Sequence, residues 1–218
     1  MDGRLVDVSV TLRPGTPEWP GDTPYSCGWT WSMADGASVN VSALTMSPHV
    51  GTHADAPLHV RDGWPASDAL PIDAFVGPCA VVDVPGVAEE IDLDALVRHA
   101  ADGGVRLDDA ERLLLRTGRT IAAGVFPDDW PSLTPACVRA LARGGLALLG
   151  VDAPSVDPRE SKDLATHHAL FEAGAFNIEN LDLRAARAGR YELIAPPLRL
   201  EGLDAAPLRA VLRPLDAR

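Results

Sequence analysis

Three of the chain's six histidines stand within one short stretch, Ser47-Pro48-His49-Val50-Gly51-Thr52-His53-Ala54-Asp55-Ala56-Pro57-Leu58-His59, with Asp55 among them. Imidazole nitrogens and carboxylate oxygens are the donors that hold a borderline divalent ion such as zinc. A catalytic site uses about three of them and leaves one position to water. The segment supplies that many by itself. A lone histidine is ordinarily a core or surface residue, but four clustered donors between proline and glycine breakers, without apolar periodicity, read as a metal loop. The helical zinc-peptidase pattern of two histidines flanking a glutamate is absent, because Ala54 follows His53.

The backbone must make these donors converge. His53 and Asp55 are two apart and share a face only in extended chain, where side chains alternate. Pro57 keeps Ala56 out of helical angles and Gly51 loosens the other side, so the expectation is a bent loop running into a strand.

The chain has 218 residues, enough for one large domain (1–218) with a substantial core. Nineteen lysines and arginines against 31 acidic residues give a formal charge of −12, which argues against nucleic acid or an anionic membrane as partner and favours a small-molecule substrate. Cys27, Cys79 and Cys137 are far apart and in no metal-type pairing. They read as buried small hydrophobes in a reducing cytoplasm. No basic leader and no apolar run of about twenty residues is present, so the expectation is a protein with no membrane partner.

Alternation predicts a strand over Leu5–Leu12, then a turn-rich segment holding Trp19 between breakers. Trp29–Met33 and Ser38–Met46 read as two strands, the second leading into the histidine loop. Gly77–Val84, Arg112–Thr117 and Leu146–Asp152 are compact apolar runs typical of buried strands. Asp92 and Thr134 read as caps of helices over Asp92–Ala101 and Thr134–Ala142, the second with Pro135 in its first turn. Late strands are predicted over Tyr191–Ala195 and Pro196–Leu200, with Ala210–Arg213 closing the chain. Strands alternating with helices give an α/β layered fold with functional groups at strand ends.

Three histidines remain. His99 lies on a helix face, whereas His167 and His168 open a helix-like stretch after a polar loop. Glu179 follows in a strand-like context where a carboxylate is costly to bury without a cation. A metal removes that cost. These residues could complete one ion's shell and hold a second, with Asp55 or Glu179 bridging.

The histidine stretch resembles the signature of the cyclase-type metal-dependent hydrolases. Thr16-Pro17-Glu18-Trp19-Pro20-Gly21-Asp22-Thr23-Pro24 is similar to its bacterial kynurenine formamidase branch. Similar too are Leu113–Thr117, the loop from Gly150 to Pro158 and on to Ser161-Lys162, and Tyr191–Ala195. The resemblance implies that His49, His53 and Asp55 bind one zinc, with Asp55 bridging to a second held by His167 and Glu179; His168 ranks below His167. It implies that His59 is a proton donor and acceptor free of metal, and that Trp19 contacts substrate. The implied fold is a swivelling β/β/α domain with a mixed, barrel-like sheet and flanking helices, in a homodimer. The implied activity is hydrolysis of N-formyl-L-kynurenine to L-kynurenine and formate by metal-activated hydroxide. Val60 and Ala153 depart from residues common in the family and bear on fine substrate preference. A manganese enzyme opening a cyclic amide such as isatin would use the same loop, and a non-catalytic metal-dependent binding protein would need no His59.

Overall fold

The structure is a computed structural model that describes residues 4–86, 90–107 and 110–215. Among them, the early strands are β1 (Val6–Asp7), β2 (Ser26–Trp31), β3 (Val41–Thr45), β4 (His53–Asp55) and β5 (Val76–Asp83). They are followed by β6 (Glu90–Ile91), β7 (Arg112–Arg116), β8 (Ser132–Leu133) and β9 (Leu148–Val151). The late strands are β10 (Phe176–Ile178), β11 (Gly189–Ile194), β12 (Ala205–Pro207) and β13 (Val211–Pro214). The helices are α1 (Leu93–Asp102), α2 (Pro135–Arg143) and α3 (Ala165–Glu172).

Seven strands make one mixed sheet in the order β1-β13-β11-β5-β7-β9-β10. Strands β5, β7, β9 and β10 run parallel, while β11, β13 and β1 add antiparallel pairs at the other side. The unbroken apolar runs follow from burial on both faces. Val82, Leu115 and Val151 pack into one cluster with Leu96 of α1, Val138 of α2 and Leu170 of α3. Val81, Leu114 and Leu148 point the other way, onto Phe75, Ala54 and Val8. Gly150 must lack a side chain, because a Cβ there would overlap Leu114 and come within 2.9 Å of Leu181 Cδ1. The result bears out the α/β expectation of a swivelling β/β/α fold, a curled half-barrel sheet with three helices.

Both expected caps are formed. Asp92 accepts from the Ala95 backbone N–H, and Thr134 accepts from that of Cys137 with Pro135 at the first turn of α2. Helix α3 is different: Leu164 at its start has φ of 45° and offers no side-chain cap. Asp157 caps it from outside, accepting from the backbone of Thr166 at 2.8 Å and of His167 at 3.0 Å.

Several sequence expectations shift. Of Leu5–Leu12, only Val6–Asp7 joins the main sheet; the chain then changes partners, Ser9 bridging to Leu181 and Val10 donating to the Thr52 hydroxyl. The first hairpin strand lies at Ser26–Trp31 rather than Trp29–Met33, and Met33 begins a short 3-10 turn. Pro196–Leu200 is not a strand. Two prolines remove the N–H donors a ladder needs, and the segment is tied to β12 by Leu198 N–H to Pro207 carbonyl at 3.1 Å. Cys79 and Cys137 are buried as expected, but Cys27 is exposed on the hairpin. No described helix is long and apolar enough to cross a membrane.

Candidate metal centre

The centre is mounted on β4, the strand of His53, Ala54 and Asp55, all three buried. One edge of β4 pairs antiparallel with β12, placing Ala205 opposite Asp55. At the other edge His53 exchanges backbone hydrogen bonds with Glu179, at 3.0 and 3.3 Å. Two distant segments therefore clamp the histidine strand. The bend before it uses Gly51 at φ of +76°, where a Cβ would also come within 2.5 Å of Leu12 Cδ2. Thr52 ties the loop down, accepting from Val10 N–H and donating to the Asn180 carbonyl at 2.7 Å.

As alternation required, His53 and Asp55 meet on one face, with His53 Nε2 3.2 Å from Asp55 Oδ1. His49 reaches the same oxygen through Nδ1 at 3.0 Å, and that nitrogen lies 3.1 Å from His53 Nε2. The other oxygen, Oδ2, faces a different set: His167 Nε2 at 3.1 Å and Asn177 Nδ2 at 2.6 Å. Glu179 closes the group, Oε1 being 3.2 Å from His167 Nε2 and Oε2 3.7 Å from His53 Nε2. Asp55 thus presents one oxygen to each of two groups of donors.

Each imidazole is held from behind. His53 Nδ1 lies 2.9 Å from the Gly51 carbonyl, which accepts its proton and leaves Nε2 as a lone pair turned inward. His167 Nδ1 lies 2.6 Å from Asp157 Oδ2, with Nε2 inward. His49 is reversed: Nε2 is 3.0 Å from Asp204 Oδ2 and Nδ1 is the inward atom. An oxygen on the outer nitrogen of a histidine is what fixes a ligand's tautomer and raises its basicity.

The electrostatics of the bare protein follow from this crowding. Burial would push the Asp55 carboxyl up, but His53, His167 and His49 outweigh it and hold it well below the usual range. Burial likewise opposes charge on His49, yet Asp204 and Asp55 push it up to about 10. His167 rises for the same reason, burial being overcome by Asp157, Asp55 and Glu179. With His49 Nδ1 and His53 Nε2 presented as lone pairs, as ligation of a metal requires, Asp55 Oδ1 is a buried oxygen left without a hydrogen-bond donor. A buried carboxylate oxygen ringed by lone-pair nitrogens fits a cation, and the donor set of three imidazoles and two carboxylates suits a borderline divalent ion.

His59 follows the strand in a short 3-10 turn begun by Pro57. Its ring lies 4.5 Å from that of His49 and 5.8 Å from that of His167, and its Nδ1 is 3.4 Å from Asp204 Oδ2. It lies close enough to group with His49 and Asp55 as a possible ligand, just as His53, Asp55 and Glu179 form another such group. A cleft of about 320 Å³ opens over the donors, lined by His49, His53, His59, His167 and Glu179 below and Trp19 and Phe126 above. Trp19 packs edge-on against Phe126 and Trp130 at 5.5 and 6.0 Å. His168 points elsewhere, against Trp64.

Every expected site residue is therefore gathered at one place. Asn177, Asp157 and Asp204 join them from outside the expected set. Asn177 had a signal, since it stands two before Glu179 in a strand and so on the same face; Asp204, between Leu203 and Ala205, had none.

Residues 6–158 match the Cyclase family model, described as "Putative cyclase". A kynurenine formamidase of Salinibacter ruber is 47% identical over 217 residues, covering 96% of this chain and 97% of the relative. A solved structure described as a potential metal-dependent hydrolase with cyclase activity superposes with a TM-score of 0.80 at 28% identity, covering 98% of this chain and 99% of that one. Isatin hydrolase A from Labrenzia aggregata, bound to benzyl benzoate, superposes with a TM-score of 0.79, covering 98% of this chain and 94% of that one; at 24% identity it speaks to fold alone.

Proposed function

The chain belongs to the Cyclase family of metal-dependent hydrolases, and from that premise we propose that it hydrolyses N-formyl-L-kynurenine to L-kynurenine and formate. The observation that carries the reading is Asp55, buried, with one oxygen turned to His49 and His53 and the other to His167. His49, His53 and Asp55 would hold one zinc ion, and Asp55, His167 and Glu179 a second. Zinc bound there supplies Lewis acidity for the formyl carbonyl and acidifies a water, whose pKa a single zinc brings to about 7.

The protein's own groups do the rest. Trp19, braced edge-on by Phe126 and Trp130 and lining the cleft, offers its indole to the substrate's aromatic ring. His59 is less buried than the donors below it, its side chain 29% exposed, and passes a proton to the departing aryl amine. Glu18 and Asp22, on the same rim as Trp19, set negative charge where the ammonium of the substrate's amino-acid end can meet it. The buried base of the cleft keeps bulk water from the donors.

The protein works as a homodimer, and the β2–β3 hairpin supports that reading. All eleven strand residues are exposed, Trp29 by 66%, Leu44 by 63% and Trp31 by 59%, an apolar surface of the kind that marks an interface. Three unpaired cysteines suit a reducing cytoplasm.

The test is a side-by-side assay of formylkynurenine and isatin on protein loaded separately with zinc and manganese, following formate release and ring opening. Faster turnover of formylkynurenine with zinc is expected. Preference for isatin with manganese would replace this reading with cyclic-amide hydrolysis, and tight ligand binding without turnover would replace it with a binding protein.

A further inference from the structure

Asp204 comes from the far end of the chain to the rim of the centre. It immediately precedes β12, whose pairing with β4 sets Ala205 opposite Asp55, and its carbonyl accepts from the Ala56 backbone at 2.8 Å. The backbone alone thus delivers its carboxylate to the histidine loop, whatever the side chain does. One oxygen, Oδ2, is 3.0 Å from His49 Nε2 and 3.4 Å from His59 Nδ1.

A neutral imidazole carries one proton, and the partner that accepts it decides which nitrogen keeps a lone pair. Gly51 makes that choice for His53 and Asp157 makes it for His167. His49 is the ligand candidate whose inward atom is Nδ1, so its proton must sit on Nε2, where Asp204 accepts it. The same oxygen, accepting from His59 Nδ1, frees His59 Nε2 for a proton in transit.

We propose that Asp204 is a positioning residue acting through two histidines at once. It holds His49 in the tautomer that can ligate a metal through Nδ1, and His59 in the tautomer that can exchange a proton through Nε2. Only the His59 half rests on the formamidase reading; the His49 half concerns metal affinity alone.

The experiment uses the full-length protein and the variants Asp204→Ala and Asp204→Asn, each alone and combined with His59→Ala. Zinc affinity is read by competition with a coloured chelator, and kcat and KM for formylkynurenine are read at saturating zinc. Denaturant unfolding checks that each variant is folded, and Asp204→Asn, which keeps the side chain's size, serves if Asp204→Ala is not.

Zinc affinity is expected to fall roughly 10–100-fold, as for loss of a group behind a ligating histidine. At saturating zinc, kcat is expected to fall about tenfold or more with KM within about twofold, a smaller loss than removal of the proton donor itself. In the His59→Ala background the zinc loss persists and no further loss of kcat occurs, since the catalytic effect passes through His59. Zinc affinity within about twofold of the parent would overturn the His49 half. A loss of kcat by the same factor in both backgrounds would overturn the His59 half. If the parent itself does not hydrolyse formylkynurenine, the formamidase reading and the His59 half fall together, and the chelator competition still decides the His49 half.

Discussion

Asp157 grips His167 twice, its Oδ2 lying 2.6 Å from the ring Nδ1 and 3.0 Å from the same residue's backbone nitrogen. Its other oxygen accepts from the Thr166 backbone at 2.8 Å, so a single carboxylate caps α3 and sets the ring that α3 carries. Stability and metal binding are coupled at this point. Asp157→Ala is expected to cost about 2–4 kcal/mol, from a lost helix cap and a buried imidazole nitrogen left unpaired. Zinc affinity should fall by at least about tenfold as well. Urea unfolding with chelator present reads the first, and chelator competition the second; an Asp157→Ala protein unchanged in both would deny the carboxylate either role.

His59 and Asp55 should part company. His59→Ala is expected to keep its full complement of zinc and lose most of kcat, by about 10²–10⁴-fold. Asp55→Ala should lose both metal and activity, because it removes the carboxylate that faces both groups of donors. Elemental analysis with steady-state kinetics checks both, and loss of zinc from His59→Ala would make His59 a ligand.

Gly51→Ala tests the bend. The φ of +76° is strained for any residue with a Cβ, and the new methyl would also press on Leu12. A destabilisation of about 1–3 kcal/mol is expected, and displacement of His49 should lower zinc affinity along with it. Thermal unfolding at fixed zinc is the measurement.

The pocket rim should discriminate by charge. Glu18→Gln and Asp22→Asn are expected to raise KM for formylkynurenine severalfold while leaving KM for N-formylaniline, which has no ammonium, unchanged. Equal effects on both substrates would remove the rim carboxylates from recognition.

Thiol reactivity reports on packing. Burial pushes the Cys79 thiol up to about 12 and the Cys137 thiol up to about 11, so at pH 8 almost none of either is thiolate, whereas Cys27 is exposed on the hairpin. An aromatic disulfide reagent should titrate one thiol in the native protein and three in denaturant. If the hairpin forms the dimer contact, Cys27 should react faster in Trp29→Ser/Trp31→Ser, a variant that light scattering should show shifted toward monomer.

Much of this protein was legible along the chain. The two-faced strands announced themselves as apolar runs over Gly77–Val84, Arg112–Thr117 and Leu146–Asp152, and both predicted caps are formed. Where turn or pairing partners decided the outcome, local pattern misled. Pro196–Leu200 looks extended, but its two prolines lack the N–H donors a ladder needs, and Ala205–Pro207, too short and featureless to read, pairs with β4 and so frames the site.

By itself the sequence determined the donor types, their spacing on one short loop, and the extended backbone that sets His53 and Asp55 on a single face, because these depend on residues within bonding reach of each other. Only the tertiary structure decided which oxygen of Asp55 faces which histidine, that Asp157 and Asp204 stand behind His167 and His49, and that Trp19 leans on Phe126 and Trp130. Those relations join segments as much as 155 residues apart, and sheet register, which fixes them, is set by packing of the whole core and not by any local stretch.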